Sequence, residues 1–434
     1  MEKLKSNMTT TEKILAKHAG KDKVFAGELL QTDIDLIVCH DVTTPPAIEM
    51  LRKKGIKKVF DPNKIVVTPD HFVPNKDIAS AEMAKKLRDF VQEQNIKNYF
   101  EIGCHGICHA IVPEKGFVKP GMTIIGADSH TCTHGAFGAF STGIGSTDLA
   151  YALAKGKLWF RVPLTDKFII NGNLQKGVFA KDVILEIIHR ISVSGALDKA
   201  MEFSGEVIDN LEMEERMTIC NMAIEAGAKN GLITPDQKTI DFINAANQSE
   251  NKIKLNDFAD LKSDLEAKFD KIYSWDFSDL KPSVALPHLP ENVKTAQELE
   301  KENIKIDQAW LGSCTNGRFS DLQEAAKILR NRKIKSGVRM IIVPATMEIW
   351  KKAMKEGLFD IFTQAGAAIS TPTCGACLGG YMGILAAGEK CISSTNRNFI
   401  GRMGDSKSEV FLASPSTVAA SAIMGKIADP RQFL

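Results

Sequence analysis

Cys374-Gly375-Ala376-Cys377 has the spacing at which two thiolates reach one inorganic centre. Such a pair serves as a redox couple, as half of a zinc site, or as two ligands of an iron–sulfur cluster. Pro372, Gly375, Gly379 and Gly380 surround it, and glycine lets backbone approach a bulky group closely. A third candidate, Cys314, lies in Gly312-Ser313-Cys314-Thr315-Asn316-Gly317. Three thiolates on two turns can hold three corners of a [4Fe–4S] cluster. The fourth iron would then be an open Lewis acid, able to take a hydroxyl and a carboxylate together. A structural zinc site wants four ligands, and no fourth thiol is evident beside these three. Cys104 and Cys108 begin a C-x3-C-x2-C pattern that Ile111 breaks.

The second group pairs imidazoles with carboxylates. Asp70-His71 and Asp128-Ser129-His130 each follow a short apolar run, and His105, His109 and His134 lie between or just after them. A carboxylate beside a histidine fixes its tautomer and raises its basicity, as general acid–base work requires. His18, His189 and His288 have no such company and read as structural. The third group is Ser393 to Gly404, where Arg397 and Arg402 stand among hydroxyls, amides and glycines. Guanidinium forks match carboxylates in two-point contacts. Together with an open iron, they suit a small polycarboxylic hydroxy acid.

These residues need a scaffold of strand-end loops. Leu36 to Cys39, Lys64 to Thr68, Thr123 to Gly126, Lys167 to Asn171 and Val338 to Val343 read as buried strands. Ser80 to Asn95, Ala180 to Ser192 and Ser320 to Arg332 carry apolar residues at helical spacing. Alternation of the two types predicts an α/β chain with largely parallel sheets. Breaks at Pro163 and along the proline-containing stretch Lys281 to Thr295, read as a linker, give segments 1–163, 164–285 and 286–434. The charged stretch Gln248 to Leu280 is expected at a domain edge.

The 434 residues carry a formal net charge of +2, which gives no reason to expect nucleic acid as the main partner. Arg330 to Lys335 is the one basic run, and a charged helix end accounts for it. Nine cysteines, an odd number, argue against a disulfide framework. The N-terminal stretch has no apolar core of a signal peptide, and no apolar run reaches the ~18 residues of a membrane span. A cytoplasmic protein with reduced thiols is expected.

In combination the motifs resemble the aconitase superfamily of iron–sulfur hydro-lyases. The matching blocks run in the family's order: Asp70-His71, Gly106-Ile107-Cys108-His109, Asp128-Ser129-His130-Thr131, Thr218 to Glu225, Gly312 to Asn316, Cys374 to Cys377 and Asn396 to Arg402. His40-Asp41-Val42-Thr43-Thr44-Pro45 and Asp128 to Gly138 are similar to the branch that interconverts 2- and 3-isopropylmalate in leucine biosynthesis. Homoaconitate and 2,3-dimethylmalate hydro-lyases are its near alternatives.

The resemblance implies three α/β/α subdomains around a central cluster site, without the family's swivelling domain. A separate small subunit would supply that domain and a catalytic base. It implies Cys314, Cys374 and Cys377 as ligands of a [4Fe–4S] cluster. It implies Asp70, His71, His109, Asp128, His130 and Glu225 as catalytic groups. His40, Ser129, Asn221, Arg397 and Arg402 would bind substrate. Asn221 and Glu225, four apart, would share a helix face. Ala110 and His105 depart from the family's pattern beside His109, which bears on substrate preference at that edge.

Overall fold

The computed structural model describes residues 7–247 and 252–434. Residues 1–6 of the N-terminal stretch, and 248–251 at the start of the charged stretch, lie outside the described residues.

The first unit is built on β1 (Leu29–Asp33), β2 (Leu36–Cys39), β3 (Ile65–Val67), β4 (Thr123–Gly126), β5 (Phe140–Gly143) and β6 (Lys157–Arg161). Strands β3-β2-β4-β5 form a parallel sheet, while β1 and β6 make a separate antiparallel ribbon. Every residue of β2, β3 and β4 is buried, as befits parallel strands covered on both faces. The helices Thr44–Lys53, Ile78–Gln94 and Ser146–Lys155 supply part of that cover. Asp77 starts the second of these by accepting the Ser80 N–H at 2.7 Å.

The second unit is the parallel sheet β10-β7-β8-β9, made of β7 (Thr165–Asn171), β8 (Ala200–Ser204), β9 (Asn230–Ile233) and β10 (Lys271–Asp276). Strand β10, from the charged stretch, is the half-exposed edge of this sheet. The helix Ala180–Ile191 packs into the shared core through Val183, Ile184, Ile187 and Ile188.

The third unit has β11 (Ser283–Ala285), β12 (Val293–Thr295), β13 (Gln308–Gly312), β14 (Arg339–Val343), β15 (Ala368–Ile369), β16 (Lys390–Ser393) and β17 (Glu409–Ala413). Their order is β12-β11-β17-β16-β13-β14-β15, parallel except at β11 and β12. The stretch Lys281 to Thr295, read as a linker, is thus an antiparallel hairpin added to the third sheet. Its strands have three residues each, too short for a periodic signal. The sheet change therefore falls between Asp276 and Ser283, rather than after residue 285.

Parallel strands deliver their following loops to one edge of a sheet. Here β2, β3 and β4 end just before His40, Asp70-His71 and Asp128. Strands β13, β15 and β16 end before Cys314, Cys374 and Asn396. The two sets of strand-end loops meet face to face.

Candidate active site

The loops are fastened before any cofactor or substrate is considered. Asp41 is buried, and its carboxylate accepts three backbone N–H groups, from Asp70, His71 and Phe72, each at 2.9 Å. Cys374 N–H donates to the Asp70 carbonyl at 2.7 Å, tying the first unit to the third. Lys181 reaches from the second unit and donates to the carbonyls of Thr395 (2.5 Å) and Ser394 (3.0 Å). Burial pushes its amine down to about 8.

The turn at Cys314 needs its glycine: Gly312 has φ +137°, and a Cβ there would lie 2.2 Å from the Val343 carbonyl oxygen. Ser313 follows at φ 134°, and its hydroxyl accepts the Thr315 N–H at 3.1 Å. The buried turn Ser129–Phe137 lies hard against β9. A Cβ on Gly135 would sit 1.7 Å from the Gly231 carbonyl oxygen.

These loops enclose a cavity of about 300 Å³. His71, His109, Asp128, Ser129, His130, Arg397 and Arg402 line it, together with Cys314, Cys374 and Cys377. His40, Asp70, Asn221 and Glu225 stand behind that lining. His40 stacks on His71, ring centroids 4.1 Å apart, and its Nε2 pairs with the Thr43 hydroxyl. Asn221 and Glu225 do not continue one α-helix, because Met213–Asn221 tightens into a 3₁₀ turn over Met222–Ala226.

Asp128 is the hub of the ionisable groups. Its Oδ1 pairs with His109 Nε2 at 2.8 Å and accepts the His130 backbone N–H at 2.7 Å. Its Oδ2 lies 3.5 Å from His71 Nε2. Burial would raise this carboxyl, but His109, His130 and His71 outweigh it and hold it far below the ordinary range. His71 Nδ1 pairs with Asp70 Oδ1 at 2.5 Å. Burial disfavours the His71 cation, yet Asp70, Asp128 and Asp41 carry it well above the ordinary imidazole value. The same contest leaves Asp70 at about 2.

Glu225 holds His130 Nε2 at 2.9 Å and Arg397 Nε at 2.8 Å. Burial and the Arg397 charge oppose protonation of His130, but Asp128 and Glu225 prevail and raise it. Burial lowers His40, His105 and His134, with nearby cations adding to the effect at His40 and His134.

A fourth thiol, Cys108, also lines the cavity, contrary to the expectation that none lay near. Its surroundings differ from those of Cys314. Amide N–H groups of Asn221 and Asn396 point at the Cys314 sulfur, at 3.2 and 3.5 Å. Cys108 is buried against the carboxylates of Asp70 and Asp128, which with burial push its thiol far up. The set Cys314, Cys374 and Cys377 suits an iron–sulfur group: three convergent thiols, with two amide donors at Cys314 to stabilise thiolate charge.

Asp41 and Lys181 are the residues sequence reasoning missed. Their available signals were an acid directly after a buried strand and a lysine inside an apolar helix. The departure His105 turns away from the cavity lining: its Nε2 pairs with the Pro372 carbonyl at 2.9 Å, bracing the approach to Cys374. His40, Asp41, Asp70 and His71 lie close enough to suggest a cation site. However, Asp41 and Asp70 already spend their oxygens on backbone N–H groups and on His71.

The sequence matches the Aconitase family (aconitate hydratase) over residues 12–425, and the chain belongs to that family. It is 54% identical over 426 residues to the 3-isopropylmalate dehydratase large subunit of Acetivibrio thermocellus, covering 98% of this chain and 100% of that one. It is 56% identical to the 3-isopropylmalate dehydratase large subunit 1 of Pyrococcus furiosus over 427 residues, or 98% and 99% of the two chains. Among solved structures, the holo-form of Thermococcus kodakaraensis aconitase X shares the fold. The TM-score is 0.53 at 13% identity, covering 95% of each chain.

Proposed function

We propose that this chain is the large subunit of a 3-isopropylmalate dehydratase, interconverting 2- and 3-isopropylmalate by loss and re-addition of water in leucine biosynthesis. One observation carries the reading. Four thiols, three imidazole–carboxylate pairs and two guanidinium groups gather at one cavity. Near-full-length identity with relatives of that name favours isopropylmalate over homoaconitate or dimethylmalate.

Cys314, Cys374 and Cys377 would hold a [4Fe–4S] cluster. When bound, the cluster supplies Lewis acidity toward the substrate's hydroxyl and one carboxylate. The chain's own residues do the rest. Arg397, anchored through Nε on Glu225, keeps its remaining N–H groups for a substrate carboxylate, and Arg402 faces the same space. His71 stays protonated and donates a proton to the departing hydroxide, with Asp70 fixing its ring. His109 and His130, set by Asp128 and Glu225, hold the hydroxyl and the water that re-adds.

No carboxylate of this lining is free to take the carbon-bound proton. Asp128 is its one carboxylate among the described residues, and three histidines hold it ionised and weakly basic. That supports a base from a small, swivel-domain subunit. Nine free cysteines, one of them exposed, support the reducing cytoplasm.

The test is co-expression with the small subunit, anaerobic reconstitution, and assay on isopropylmalate, homocitrate and dimethylmalate. The alkene intermediate is followed by ultraviolet absorbance. Turnover of isopropylmalate only when both subunits are present is expected. Preference for another of these acids, or full activity from this chain alone, overturns the reading.

A further inference from the structure

The substrate proposed above carries an apolar branch into a cavity rich in charged and polar groups, and that branch must be seated somewhere. Three aliphatic side chains line the cavity: Val42, Ile107 and Leu378. Ile107 is buried and already packed with Ala110, Ala345 and Cys314, so it forms the floor under a thiol. Val42 and Leu378 are only partly buried and have side-chain surface left to cover.

Their loops are fastened to the same neighbour. Asp41, next to Val42, takes the N–H groups of Asp70, His71 and Phe72. The turn that carries Leu378 is fixed to the same segment by Cys374 N–H to the Asp70 carbonyl (2.7 Å) and Gly375 N–H to the His71 carbonyl (3.4 Å). Val42 and Leu378 therefore belong to the His71 side of the cavity, while Arg397 hangs on Glu225 from another unit.

We infer that Val42 and Leu378 form the seat for the substrate's isopropyl group and set the preference for a branched alkyl substituent. This rests on the functional reading above. The physical reason is one-sided. An alkyl group laid against Arg397, Arg402 or Asp128 would strip water from charges without replacing their hydrogen bonds. Against Val42 and Leu378 it covers apolar surface at no such cost. A carboxylate then falls toward Arg397, and the hydroxyl-bearing carbons lie across His71 and the thiols.

The experiment uses the reconstituted two-subunit enzyme, wild type and with Val42→Ala or Leu378→Ala. It measures kcat/KM for 3-isopropylmalate and for 3-methylmalate, plus the affinity of each acid by calorimetry. Iron and sulfide content is recorded for every variant. Losing contacts worth a methylene or two shifts discrimination by about tenfold or more. Each variant should lose about tenfold in the isopropyl-to-methyl ratio, in both kcat/KM and affinity, at unchanged iron content. Equal losses on both substrates, or an unchanged ratio in a wild type that does turn over isopropylmalate, overturn the seat alone. A wild type idle on isopropylmalate overturns the functional reading, and the seat with it.

Discussion

Replacing Asp41 by asparagine should disable the site from behind, without replacing any side chain that lines the cavity. Oδ1 of Asp41 accepts the N–H groups of Asp70 and His71, and Oδ2 accepts that of Phe72, all at 2.9 Å. Asparagine can keep the first two bonds, but it puts an NH₂ where Phe72 N–H points. One charge-assisted bond, about 1.5–3 kcal/mol, is lost and a buried N–H is left without an acceptor. The total cost is about 2–4 kcal/mol, a sizeable fraction of the ~5–15 kcal/mol that holds a domain folded.

The kinetic effect comes through His71. A catalytic group displaced by about 1 Å costs roughly a hundredfold in rate. Asp41 is also one of the charges that raise His71, so D41N lowers that value. The acid form of His71 is then lost sooner on the alkaline side. In the reconstituted enzyme, D41N should show kcat down about a hundredfold, the alkaline limb of its pH profile moved to lower pH, and a lower denaturation midpoint. An unmoved alkaline limb in a folded, iron-replete D41N enzyme refutes the reasoning. So does wild-type kcat.

Glu225→Gln removes the charge shared by His130 and Arg397 inside a buried network, at a cost of about 3 kcal/mol. KM should rise as Arg397 loses its anchor, checked by steady-state kinetics beside denaturant unfolding. Lys181→Met leaves the carbonyls of Ser394 and Thr395 unpaired, at roughly 1–3 kcal/mol each. Iron should then be lost faster on gel filtration, measured against time. Stability should also follow pH in a definite sense. Because His71 is raised, its contribution is complete below the ordinary value of 6.5, fades from there upward, and is lost once pH has climbed through the elevated value. Because Asp70 is lowered, its contribution is present above 3.8 and fades as pH falls toward about 2. Denaturant midpoints should therefore begin to fall as pH rises past 6.5, and fall again as pH drops below 3.8.

The chemistry was more legible in the sequence than its supports. Cys374 and Cys377 announce themselves by spacing, and Asp70-His71 by adjacency. Short contiguous patterns of this kind survive without tertiary information. The strands before them were also legible, because parallel strands buried on both faces are continuous apolar runs: Leu36–Cys39 and Thr123–Gly126 match the expected spans residue for residue. The hairpin Ser283–Ala285 with Val293–Thr295 was not, since three-residue strands carry no period and its prolines suggested a linker. Asp41 and Lys181 act on partners 29 to 214 residues away, and pairings at that distance leave no trace in local pattern. No fourth thiol is evident in the sequence beside Cys314, Cys374 and Cys377; only the folded cavity brings Cys108 into the same lining.

The electrostatics of these loops explain why such a site should be shared between chains. Asp41 gives its oxygens to backbone N–H groups but keeps the charge that helps raise His71, and burial lowers His40, His105 and His134. Around the cavity stand Asp41, Asp70, Asp128 and Glu225 against His71, His130, Arg397 and Arg402. Of these acids, Asp70, Asp128 and Glu225 pair directly with histidines and Arg397. The three acids are committed to orienting imidazoles and a guanidinium, so they fix geometry at the expense of positive field. A dicarboxylate brings two further charges, and the cations of this set are already offset by its acids. Adding a further arginine to these loops would draw the acids away from the histidines they orient. A further cation on a separate body can meet a carboxylate when substrate is bound and withdraw afterwards. The same body can bring a base that no carboxylate of this lining is free to supply. The charge balance that keeps Asp128 bonded to its histidines thus favours the proposed small subunit.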